Sequence, residues 1–138
     1  MAKEKLKSAP MPVELLNMQG FTASQQEALL DLLVLAMYLD GNLAKVEEAR
    51  VQQLLTAMGF ATEYDRNRQF DASVTRVRRE SQTAEAVKAC SGRLADKFTL
   101  PDQQRRIYRM LRELTALDGN ISKEESQFLL AIKEKFGI

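Results

Sequence analysis

Histidine is missing from these 138 residues, and so is tryptophan. Without histidine the chain has neither the usual general base, nor the usual zinc ligand, nor the usual pH switch. Cysteine occurs once, at Cys90. No disulfide can form within the chain, and a lone thiol suits a reducing compartment. Three prolines and six glycines leave long stretches free to be helical. Long apolar runs are absent too: the most apolar stretch, Leu29 to Leu39, contains Asp31 and falls far short of the ~20 residues that cross a bilayer. The opening Met1-Ala-Lys-Glu-Lys-Leu-Lys is charged and has no apolar segment behind it, unlike a secretory signal. Together these absences predict a cytoplasmic protein with no transmembrane segment.

What is present suits a helical domain. Aliphatic residues and Met supply most of the apolar content, and about 100–150 residues is the usual size of one domain with its own core. A net charge of +1 hides an uneven distribution. Between residues 14 and 63 seven acids face only Lys45 and Arg50, whereas between 64 and 112 twelve basic residues outnumber six acids. Such a split predicts electrostatic self-complementarity or a charged partner.

Residues 1–12, with lysines and then Ser-Ala-Pro-Met-Pro, read as a flexible tail. Residues 13–138 read as one domain. Val13 to Met18 can form a helical turn before Gly20. The first long helix is expected from Ser24, with Glu27 completing a capping box, through Leu29, Leu32, Leu33 and Ala36 to Leu39. A helix apolar over so much of its circumference belongs at the centre of a fold. Further helices are expected over Lys45 to Met58, Tyr64 to Glu80, Thr83 to Lys97, and from Pro101 to Leu117. The last begins at Ser122, with Glu125 as its capping partner, and carries Phe128, Leu129, Ile132 and Phe136. Period-two alternation is nowhere sustained, so no strand is expected. Cys90 lies on the apolar register of its helix and reads as a packed core thiol.

A shift of 78 residues lays 22–60 on 100–138 without a gap. Gln25-Gln26 falls on Gln103-Gln104, Leu33 on Leu111, and Leu39-Asp40-Gly41-Asn42 on Leu117-Asp118-Gly119-Asn120. Lys45 then matches Lys123, Glu47 matches Glu125, and Gly59 matches Gly137. The expected architecture is a compact all-α bundle of six to seven helices with an internal pseudo-two-fold repeat. In it, two hairpin-like pairs enclose the third and fourth helices.

An apolar helix ending in Asp-Gly, a short link with one aliphatic residue, and then Lys/Glu-Glu opening the next helix resembles the TerB-like tellurite-resistance family. That family is related to the N-terminal domain of DnaJ-type membrane co-chaperones. The resemblance covers about residues 20–138 and implies an all-α bundle without enzymatic activity, tied to stress responses and membrane-linked complexes. Leucine, at Leu39 and Leu117, stands where the family usually has alanine, and no J-domain motif is present, so the co-chaperone role does not carry over.

The paired turns have several readings. Asp40 with Glu47, and Asp118 with Glu125, resemble the second half of an EF-hand loop. The earlier ligand positions would be Ala36 and Tyr38, or Leu114 and Ala116, which excludes a calcium hand. What remains is weak Ca²⁺ or Mg²⁺ binding by these carboxylates, or helix closing and capping, each cap worth about 1 kcal/mol; capping is the simpler. The arginines of the third and fifth helices (Arg66, Arg76, Arg78, Arg79, Arg105, Arg106, Arg109 and Arg112) read as a basic surface. Without aromatic interleaving or a reading motif, nucleic acid is the weaker assignment for it.

No nucleophile, base and oxyanion site assembles from these residues, so the chain is not expected to be an enzyme and requires no cofactor. The leading expectation is an interaction module in a stress-response or membrane-associated assembly, binding protein partners, a second copy of itself among them. Its expected contact face is Asp40, Glu47, Asp118 and Glu125. A divalent-metal-binding or metal-sensing domain using the same carboxylates is the second reading.

Overall fold

A computed structural model describes residues 13–39, 45–115 and 122–138, with side chains at 13, 45–48, 114 and 115 left out. A 3-10 turn, Val13–Leu16, precedes six α-helices: α1 (Ala23–Leu39), α2 (Lys45–Ala57), α3 (Glu63–Glu80), α4 (Ala84–Ala95), α5 (Pro101–Thr115) and α6 (Lys123–Phe136). No strand occurs among the described residues. The Asp-Gly turns at 40–42 and 118–120 lie outside them.

Helix starts follow local chemistry. Thr62 and Thr83 cap α3 and α4 by accepting from the N–H groups of Asp65 and Ala86. Ser122 and Glu125 form the expected capping box on α6. The box expected at Ser24 and Glu27 is displaced by two residues. The Thr22 hydroxyl accepts from the Gln25 N–H at 3.1 Å, and the Gln25 side chain accepts from the Thr22 N–H at 3.0 Å. Ser24 is already inside the first turn, where its hydroxyl accepts from Lys97 Nζ. At the other end of the chain, α6 stops at Gly137, whose φ of +70° lets its N–H reach the carbonyls of Lys133 and Glu134.

The core is organised around α1. Every residue from Ala28 to Met37 is buried, and the helix packs against each of the other five. The arrangement therefore differs from two pairs enclosing the third and fourth helices. In α3 only Ser73 and Val77 are buried, because its apolar stripe is too narrow to be covered on more than one side. α1 is the enclosed helix and α3 lies outside it. From the other elements, Leu15, Val51, Leu54, Leu55, Phe98, Ile107, Met110, Leu111, Phe128 and Ile132 complete the same core.

Polar contacts link the two segments related by the 78-residue shift, Arg50 donating to the Glu113 carbonyl at 3.2 Å. The amides of Gln25 and Gln103, which that shift pairs, bond to each other at 3.3 and 3.5 Å. Beside them Phe21 and Phe98 meet edge to face at 6.0 Å, and Gln26 and Gln104 donate to the carbonyls of Phe21 and Phe98 respectively.

Candidate functional site

Of the four carboxylates expected at the contact face, Asp40, Asp118 and the side chain of Glu47 lie outside the described residues. Glu125 is described and is 2% exposed. Its carboxylate accepts from the Ser122 N–H at 3.2 Å while its own N–H donates to the Ser122 hydroxyl. Glu125 is therefore a buried cap of α6. Among the described residues, no three of Cys, Asp and Glu stand together as a metal-holding group.

The arginines do not form one open surface. Arg76 reaches across to α1, where its Nε and terminal nitrogen donate to both oxygens of Asp31 at 3.0 and 2.8 Å. Ser73 donates to the same carboxylate at 2.6 Å. Asp31 is buried, and these bonds are what permit a charge inside the most apolar helix. The carboxylate bond, with its negative charge, holds the Arg76 guanidinium above its ordinary range.

Arg66 closes the α2–α3 connection by donating to the carbonyls of Phe60 and Ala61 and to Gln52. Arg106 lies 4.9 Å over the Phe21 ring and donates to the carbonyls of Leu15 and Asn17; burial lowers its pKa. Arg109 pairs with Glu14 at 3.1 Å, and Arg105 pairs with Asp102 in its own helix. Arg78, Arg79 and Arg112 are exposed. Arg66, Arg76 and Arg106 are thus half-buried tethers that fasten α3 and the N-terminal turn to the core. Cys90 is buried, and its thiol is pushed up first by burial and then by the Glu80 charge beside it. A thiol in that state is a poor nucleophile.

Open apolar surface lies elsewhere. Between α4 and α6 runs a groove of about 490 Å³, in the range of ligand-sized clefts. Val87, Phe128, Leu130 and Ala131 supply apolar walls, Leu39 of α1 adds to the lining, and Ser91 contributes a hydroxyl. Leu130 is 56% exposed, since it falls off the stripe of Phe128, Leu129, Ile132 and Phe136 that faces the core. Glu85, Lys88, Glu124 and Glu134 carry the charge along its edges. Sequence reasoning missed both this groove and the Asp31 latch. The signals were there: an aspartate inside an apolar helix needs a partner, and a leucine one step off the buried stripe faces outward.

The fold thus defines an all-α helical bundle with an open apolar cleft between its fourth and sixth helices. Within that class the chain belongs to the TerB family: the family described as "Tellurite resistance protein TerB" matches residues 26–138. No curated protein and no solved structure matches it. Among the described residues, no helix is long and apolar enough to cross a membrane.

Proposed function

We propose that this TerB-family chain is a non-enzymatic interaction module serving a stress-response or membrane-associated assembly, and that it engages protein through the α4–α6 groove. The observation that carries the reading is the open apolar cleft itself, with Leu130 left largely uncovered. An exposed leucine beside a half-buried valine, over the buried Phe128, matches the way helical modules take up peptide segments. The groove also adjoins the motif that the sequence singles out. Leu39 in its lining directly precedes Asp40 in sequence, and Glu124, also in its lining, directly precedes the capping Glu125. The contact face is thereby moved from Glu125, which caps, to the neighbouring surface of α6.

A photo-crosslinking amino acid placed at Leu130 tests this in cells. Discrete protein adducts from position 130, absent when the same probe replaces the exposed Tyr64 on α3, are expected. No adduct from position 130, or the same adducts from both positions, would contradict the reading.

A further inference from the structure

We infer that the groove's occupant is a basic amphipathic helix of a protein partner, an inference that rests on the interaction-module reading and specifies its chemistry. Three carboxylates, those of Glu85, Glu124 and Glu134, edge the groove against one ammonium, Lys88. An occupant whose apolar stripe is flanked by Lys or Arg would complement these edges, whereas an acidic one would be repelled.

Helix dipoles account for only part of this pattern. Glu85 and Glu124 stand in the first turns of α4 and α6, where a negative charge serves its own helix. Glu134 stands in the last turn of α6, where the dipole disfavours an acid. The α6 dipole therefore does not account for the carboxylate at that edge of the groove.

The groove's shape also suits a helix. The walls are two packed helices, and a cleft between helices accepts the ridge of a third. No strand edge exists among the described residues to pair with an extended peptide. From Glu124 to Glu134 the groove wall runs about 15 Å, at about 1.5 Å per residue. That length matches roughly three turns of a bound helix, with aliphatic anchors at i, i+3 or i+4, and i+7.

The experiment uses the full chain and two fluorescein-labelled peptides of about 14 residues, read by anisotropy at physiological salt. Both carry leucines at helical spacing, one with lysines on the remaining face and the other with glutamates. The Leu/Lys peptide is expected to bind saturably and the Leu/Glu peptide not to bind. Leu130→Asp is the deciding variant, because it removes an apolar anchor while adding negative charge. Groove docking expects a weakening of at least about tenfold; mere adsorption to an acidic surface expects tighter binding. Glu134→Gln, at an exposed position, is expected to weaken binding about two- to fivefold.

Equal binding of the Leu/Glu peptide, or unchanged or tighter binding by Leu130→Asp, would overturn the inference. So would Leu130-dependent binding to phosphatidylglycerol vesicles in place of the Leu/Lys peptide. If crosslinks form at Leu130 in cells but the Leu/Lys peptide does not bind, the partner's chemistry is wrong and the module reading stands. If neither occurs, both fail.

Discussion

The helices α1 and α5 occupy equivalent places in the 78-residue register, yet the bundle uses them differently. α1 is buried for ten consecutive residues and touches every other helix. α5 buries one stripe, with Ile107, Met110 and Leu111 inside, and sends Arg105, Arg109 and Arg112 outward. The contrast is sharpest at one matched pair. Asp31 in α1 falls on Arg109 in α5; Asp31 is buried and clasped by Arg76, whereas Arg109 meets Glu14 at the surface. A repeated pattern fixes which face of each helix is apolar. How many neighbours then cover that face decides whether a charge on the helix needs an internal partner.

Truncating the matched core leucines separates the two environments most strongly. Leu33→Ala should cost about 4 kcal/mol and Leu111→Ala about 3 kcal/mol in denaturant unfolding, since a cavity ringed by helices on all sides collapses least. Equal costs would mean that the two helices are equivalent after all.

The charged pairs come next. Arg76→Ala should cost about 3 kcal/mol, near the lower end for a broken buried pair because part of Arg76 reaches solvent. Arg109→Ala should cost less than about 1 kcal/mol, as an exposed ion pair does. Replacing Asp31, Ser73 and Arg76 together by Leu, Ala and Met should recover most of the Arg76→Ala loss, because the penalty lies in the orphaned charge. Thermal unfolding of the three variants checks this order.

The smallest expected difference is at the caps. Thr83→Ala removes one capping bond, that to the Ala86 N–H, and should cost about 1 kcal/mol. Gln25→Ala removes its cap and also its bonds to Gln103 and the Lys97 carbonyl, so it should cost about 1.5 kcal/mol. A reversed order would indicate that the Gln25–Gln103 contact adds nothing.

Local pattern carried most of the helix plan. Apolar spacing together with Gly59, Pro101, Ser122 and Gly137 placed the six helices to within a few residues. It also placed α1 at the centre, because a helix apolar all round has nowhere else to go. The first capping box was misread because Thr22-x-x-Gln25 and Ser24-x-x-Glu27 fit the same pattern. The packing of Phe21 on Phe98, 77 positions along the chain, accompanies the earlier start.

Partners of the arginines were not legible for a similar reason. Arg76 meets Asp31 across 45 residues and Arg106 meets the Leu15 carbonyl across 91, distances over which composition reports a charge but not its destination. The groove was the least legible feature. Each helix's pattern shows its apolar face, and only the packing of α4 against α6 shows where that face is left uncovered.

Backbone amide shifts of the labelled chain, followed as the Leu/Lys peptide is added, test most directly whether this cleft is the working surface. The largest changes are expected at residues 84–91 and 124–134, with α3 and the outer face of α5 left still. Changes spread over the arginine-bearing faces instead, or none at saturating peptide, would contradict it.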